Sequence, residues 1–257
     1  MNMAAVHEFE FHSVPLNSVY FPTITASCYL LAVFVIRKVI VSSSSRWALN
    51  TQSVQTYHNL FLSVLSLVML FGCLSELIPR VTAEGPLFLF CESSQPPASG
   101  PLYFWSYIYM LSKIYELLDT FLQLLKGRDP PSFFLHVGHH AAVLLMAWAW
   151  LEYKQSLQFI GLCFNCLVHV IMYFYYFLLS ATGKKPWWKQ LVTTVQIVQF
   201  ATSPAFFCVT AYLVLGEGRD CAGWTPLLGN LFFNVVLLSQ FVGILVGGGG
   251  KKNQKKQ

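Results

Sequence analysis

Apolar positions along this chain come in long blocks instead of alternating with polar ones. Seven blocks approach or exceed the ~20 residues that a helix needs to cross hydrocarbon: Val19–Val41, Tyr57–Leu77, Leu102–Leu125, Phe133–Leu151, Leu157–Ser180, Leu191–Leu215 and Thr225–Val246. Lipid offers the backbone no hydrogen bonds, so such blocks fold as helices that satisfy their own N–H and C=O groups. The pattern predicts an all-α integral membrane protein, seven transmembrane helices in one polytopic domain covering 1–257, with no internal repeat. The residues before the first block include Glu8 and Glu10 and no Lys or Arg, which is not the flank of a cleaved secretory signal, so the first span is expected to be retained.

Composition agrees with this reading. The chain is 55% hydrophobic and 11% charged, against ~25% charged for soluble domains, which excludes a secreted enzyme, a disordered chain or a nucleic-acid-binding module. The net charge of +5 is informative only through its placement. Arg37, Lys38, Arg46, Lys126, Arg128, Lys184, Lys185, Lys189, Lys251, Lys252, Lys255 and Lys256 all fall on one side of a seven-span chain. The other side receives Arg80, Lys154 and Arg219 among Glu84, Glu92, Glu152, Glu217 and Asp220. The positive-inside rule then puts the amino terminus outside and the carboxyl terminus in the cytosol, with 247–257 a flexible basic cytosolic tail attracted to anionic lipid. Five cysteines fall inside spans, whereas Cys91 and Cys221 fall in non-cytosolic loops, where an oxidising lumen permits a disulfide between them.

One positive residue remains, Lys113, and it lies inside the third span. Ionisable groups in a span cost a few kcal/mol each unless paired or hydrated, so their clusters are functional candidates. Lys113, Glu116 and Thr120 share one helical face, with Asp119 beside them; a self-neutralised ion pair explains the first two equally well when taken alone. His136, His139 and His140 open the fourth span, on adjacent turns. Asn165, His169, Met172, Tyr173 and Tyr176 form a polar stripe down the fifth. All three clusters occupy the cytosolic halves of their spans and can meet at one depth. Histidines next to carboxylates offer metal ligation, proton transfer or nucleophilic attack.

These residues resemble the fatty acid elongase family. Lys113, Glu116, Asp119 and Thr120 match its K-x-x-E-x-x-D-T box, His136, His139 and His140 its H-x-x-H-H box, and Asn165, His169, Met172, Tyr173, Tyr175 and Tyr176 its N-x-x-x-H-x-x-M-Y-x-Y-Y box. Trp187, Trp188, Lys189, Thr193, Gln196, Gln199 and Phe200 are similar to a further family segment. Gly138 stands where many members carry an aromatic, and Asn234, Ser239 and Gln240 match the tyrosine-rich last span loosely. The resemblance implies a very-long-chain 3-oxoacyl-CoA synthase. Such an enzyme condenses malonyl-CoA with a long-chain acyl-CoA, saturated or polyunsaturated being left open, and releases CO2 and CoA. Its helices form a bundle or barrel around an acyl-chain slot.

The resemblance further implies an acyl-imidazole on His139, with His136 and His140 setting its tautomer or moving protons. His169 and Asn165 support the thioester oxygen or the malonyl carboxylate, Glu116 and Asp119 orient, and Lys113 neutralises. Tyr173, Tyr176 and Gln196 are the expected substrate contacts, with Lys126, Arg128, Lys184, Lys185 and Lys189 meeting the CoA phosphates. No cofactor and no metal are expected. The expected partners are membrane lipid, acyl-CoA, malonyl-CoA and the reductases and dehydratase of the elongation cycle. A homo-oligomer is left open and nucleic acid is not expected. Residence in the endoplasmic reticulum membrane follows from the family, since Lys255 and Lys256 are one residue out of register for a dilysine signal. The competing readings are a histidine-box desaturase, disfavoured because the clusters hold only four histidines where two irons need about eight ligands, and a seven-helix proton-coupled transporter, whose site belongs nearer the midplane.

Overall fold

The computed structural model describes residues 6–41, 48–95 and 97–253, with side-chain surroundings described as far as residue 243. Arg46, Lys255 and Lys256 of the charge reading lie outside the described residues. The helices are α1 Tyr20–Ile36, α2 Gln52–Glu84, α3 Pro101–Glu116, α4 Leu118–Leu125, α5 Phe133–Glu152, α6 Gln158–Thr182, α7 Lys189–Ala211 and α8 Trp224–Asn253. Wider turns extend α1 through Arg37–Val41 and α7 through Tyr212–Gly216. Helix boundaries fall where the backbone must turn. Gly183, at φ +68°, ends α6 with its N–H on the Leu179 carbonyl at 3.0 Å. Gly100, at φ +86°, precedes Pro101, the first residue of α3.

Among the described residues six helices are long and apolar enough to cross a membrane, not seven. The exception is the third apolar block, which is two helices. The ladder changes at Leu117, whose N–H bonds Ile114 O at 3.2 Å, three residues back, so α3 ends at Glu116 and α4 begins at Leu118. Charges at Lys113, Glu116 and Asp119 surround this break, and each must be turned toward a partner. α8 continues through the run Gly247–Gly250 to Asn253. Glycine costs about 1 kcal/mol relative to alanine, but here it extends a helix already nucleated.

Packing closes the helices into a ring. α2 lies along α6, α6 against α7, α7 against α8, α8 against α5, α5 against α3, and α3 back against α2. α1 sits outside this circuit, where Ala26, Tyr29 and Val33 pack with Leu117, Leu124, Val137 and Ala141. At the end away from the histidines the connections are cross-tied. Cys91 and Cys221 form a disulfide across 130 residues of chain. Arg80 holds Glu92 through two bonds of 2.9 Å, and Ala222 N–H donates to Glu92 O at 2.9 Å. Ser156 Oγ donates to Ala222 O at 3.0 Å. The amino-terminal segment joins the same end through Phe11, fully buried, whose N–H meets Ala98 O at 3.0 Å.

A crosslink over a loop this long restricts the unfolded chain strongly, by ~2–5 kcal/mol in soluble proteins. Replacing Cys91 and Cys221 together by serine therefore lowers the thermal midpoint of the detergent-solubilised protein by several degrees, with the ring still formed. An unchanged midpoint would show that the other ties at this end carry the restraint.

Candidate active site

The site is built around the break between α3 and α4. One face of α3 carries Tyr103, Ser106, Tyr109, Lys113 and Glu116, all buried, at helical spacing. Lys113 is 2% exposed and Glu116 1%, which places a full ion pair out of reach of water and makes its remaining partners decisive. Lys113 Nζ donates to Glu116 Oε1 at 2.8 Å and to Asn165 Oδ1 on α6 at 2.8 Å. Tyr109 OH donates to the same Asn165 oxygen at 3.0 Å, and its ring lies 4.1 Å from the ammonium. His169, one turn along α6, brings Nδ1 to 3.4 Å from Glu116 Oε1, an ion-pair distance without hydrogen-bond geometry. The pair is thus shared among two helices.

Past the break, α4 presents Asp119 and Thr120. Asp119 accepts Tyr173 OH from α6 at 2.6 Å on one oxygen, and lies 2.8 Å from His58 Nε2 of α2 on the other. His58 is buried and stacks on Tyr115 with ring centroids 5.1 Å apart. Thr120 Oγ1 lies 2.7 Å from Tyr29 OH of α1 and 3.0 Å from His136 Nε2 of α5. Glu116, Asp119 and Thr120 therefore tie four other helices to one short stretch of backbone.

On α5 the three histidines follow their spacing. His136 and His140 have centroids 4.6 Å apart and His139 and His140 5.4 Å. His139 lies flat against Phe233 of α8 at 5.7 Å, where the ring of helices closes. Its Nδ1 is buried and has no hydrogen-bond partner among the described residues. Among those residues no three His, Cys, Asp or Glu side chains are arranged to share a metal ion.

Other sequence candidates lie at the edge of this network or beyond it. Gln196 Nε2 meets Met172 Sδ at 3.5 Å, Tyr176 is 43% exposed, and Lys184, Lys185 and Lys189 are exposed around the α6–α7 connection. Lys126 Nζ donates to Gln55 Oε1 at 2.9 Å, and burial followed by Arg128 lowers its pKa. In the loop before α5, Asp129 accepts Arg37 through two bonds of 2.8 Å, and that hydrogen bonding holds its carboxyl below the usual range. Sequence reasoning passed over His58, Tyr29 and Tyr109. Tyr109 is legible four residues before Lys113, on its face; a lone histidine on α2 and a lone tyrosine on α1 carry no such signal.

A family model described as "ELO: GNS1/SUR4 family" matches residues 14–256. Among characterised or named relatives, the chain is 40% identical over 193 residues to a putative fatty acid elongase of Dictyostelium discoideum, covering 75% of this chain and 63% of that protein. It is 36% identical over 186 residues to fatty acid elongase A of the same organism, covering 72% and 65%. Fatty acid elongase sre1, also of Dictyostelium discoideum, is 33% identical over 235 residues, covering 91% and 83%. The matched region thus spans a little under two thirds of the first two relatives' own length.

Removing one partner of a buried ion pair strands the other. Lys113→Met is expected to destabilise by about 3–5 kcal/mol, read as a large fall in the thermal midpoint, and Lys113→Met with Glu116→Gln to recover most of it. A double variant as unstable as the single one would mean that Asn165 and Tyr109, not Glu116, are what Lys113 holds.

Proposed function

The chain belongs to the ELO (GNS1/SUR4) family of fatty acid elongases, and from that premise we propose that it condenses malonyl-CoA with a long-chain acyl-CoA to give a 3-oxoacyl-CoA two carbons longer. The observation that carries the reading is the meeting of Lys113, Glu116, Asn165 and His169 in one buried network, beside a helix that presents three histidines. The reaction requires an acyl acceptor, a stabiliser for the enolate left by decarboxylation, and a site that keeps water from the intermediate.

His139 is the proposed nucleophile. His136 is engaged with Thr120, and although His139 and His169 each keep a buried Nδ1 without a hydrogen-bond partner among the described residues, that of His169 lies at ion-pair distance from Glu116. A neutral imidazole at His139 can attack the thioester carbon, forming an acyl–nitrogen bond as the CoA sulfur departs. His140 and His136, with ring centroids close to one another and, for His140, to His139, are the groups that would orient the ring, and the Lys113 ammonium and the Asn165 amide, hydrogen-bonded to each other, are those that would meet developing negative charge. The chemistry is that of two thioesters and asks for no cofactor.

In the membrane, α3 and α4 together are proposed to make a seventh crossing, their combined length at 1.5 Å per residue exceeding the ~30 Å core. The amino terminus is then lumenal, the carboxyl terminus cytosolic, and the residence the endoplasmic reticulum. CoA phosphates approach the end bearing Lys126, Arg128, Lys184, Lys185 and Lys189, and the acyl chain extends inside the ring toward the disulfide-tied end. The product is a 3-oxo thioester, so reductases and a dehydratase are the partners that complete a cycle.

Purified protein supplied with labelled malonyl-CoA and acyl-CoAs of varied length and unsaturation is expected to yield 3-oxoacyl-CoA. His139→Ala is expected to lower kcat by more than about a thousandfold, as loss of a nucleophile does. Absence of product from folded wild-type protein would refute the condensing reading; full activity in His139→Ala would move the nucleophile to another residue.

A further inference from the structure

The condensation has a proton balance that the histidine box leaves open. Malonyl-CoA enters with its carboxylate ionised. The bond from that carboxylate to the α carbon breaks, CO2 leaves, and the electron pair stays on the α carbon as an enolate. That carbon forms the new bond to the acyl carbonyl as the bond to its leaving group breaks, and the departing CoA sulfur is released as a thiol. CO2 leaves neutral and its negative charge passes through the enolate to the leaving group, so release of CoA as a thiol takes up one proton per turnover. A site enclosed by buried rings needs a path for it.

We propose that His58, Asp119 and Tyr173 form that path, a relay carrying one proton per turnover from the cytosolic end of α2 to the reaction site; the proposal rests on the condensing reading. The three side chains come from α2, α4 and α6 and are in continuous contact. His58 Nε2 lies 2.8 Å from Asp119 Oδ1, and Tyr173 OH donates to Asp119 Oδ2 at 2.6 Å. Tyr173 then stands edge-on to His169, centroids 5.2 Å apart, whose Nδ1 is 3.4 Å from Glu116. At the other end, His58 lies one turn from Gln55, which receives Lys126 at the mouth of the bundle. The titratable groups facing the relay are Tyr115 from α3, on which His58 stacks, Tyr176 from α6, and Tyr29 from α1 and His136 from α5 beside Asp119, with Glu116 and His169 a turn deeper.

With Asp119 ionised, His58 donates from Nε2. A proton taken up at Nδ1 releases the one on Nε2 to Asp119. The Tyr173 hydroxyl rotates off Asp119 and gives its proton to the departing CoA sulfur, the Asp119 carboxyl turns and replaces that proton on the Tyr173 oxygen, and His58 resets by tautomer exchange with water. No oxidant or second substrate is involved.

A relay and a clamp differ in one substitution. The glutamine of His58→Gln can still donate a hydrogen bond to Asp119, yet it cannot take up and pass on a proton. The relay predicts that His58→Gln lowers kcat by about a hundredfold with KM unchanged, that the deficit widens as pH rises and donors grow scarce, and that added imidazole restores His58→Ala. If His58→Gln does not fold as wild type does, Tyr173→Phe, which removes only the hydroxyl, carries the same expectation for kcat and pH profile. Wild-type kcat and pH dependence in the folded variant, or a loss confined to KM, would overturn the relay while leaving condensation intact. No product from folded wild-type protein would instead be the failure of the condensing reading, and the relay would fall with it.

Discussion

Burying a lysine ammonium and a glutamate carboxylate in the interior of a membrane bundle is the constraint around which the rest of this structure is arranged. Separately each charge would be excluded, and together they persist only because their remaining hydrogen-bonding capacity is met. Glu116 supplies the opposite charge, Asn165 a second acceptor and Tyr109 the face of a ring. That demand fixes the rotation of α3 relative to α6, because both helices must turn their polar stripes toward each other. Water is kept away by the same contacts, so any dipole or charge that enters meets a field stronger than it would in solvent.

The break at Leu117 follows from the same demand. A straight helix would carry Glu116, Asp119 and Thr120 around its circumference at fixed angles. Ending α3 and restarting as α4 lets Glu116 stay with Lys113 while Asp119 reaches His58 and Tyr173, and Thr120 reaches Tyr29 and His136. One short stretch of chain thereby references four other helices to a common origin. In the proposed condensation this is what holds the histidine helix in register with the carboxylates, since His136 is tied directly to the residue next to Asp119.

The two ends of the ring are held by different means. Near the histidines the ties are side-chain hydrogen bonds in a confined, partly polar interior. At the far end they are a disulfide, a bidentate Arg80–Glu92 pair and backbone bonds between loops. In the proposed condensation, a cross-tied far end and a hydrogen-bonded near end would confine rearrangement to groups that can exchange partners with a ligand.

Sequence alone determined what depends on neighbours along the chain. Apolar blocks dictate helices in lipid, and 3.6-residue periodicity puts Lys113 with Glu116 and His136 with His140 before any fold is known. The spacing of the boxes was likewise enough to point to the family. Tertiary structure decided which distant residues complete each partnership. Asn165 joins Lys113 across 52 residues, His58 joins Asp119 across 61 and Tyr29 joins Thr120 across 91. Neither His58 nor Tyr29 belongs to a pattern on its own helix, so local periodicity could not mark them. It also decided that the third apolar block is two helices and that α8 returns to α5 to place Phe233 against His139. Both outcomes depend on how rigid helices pack around buried charge, a property of the assembled ring that no single segment encodes.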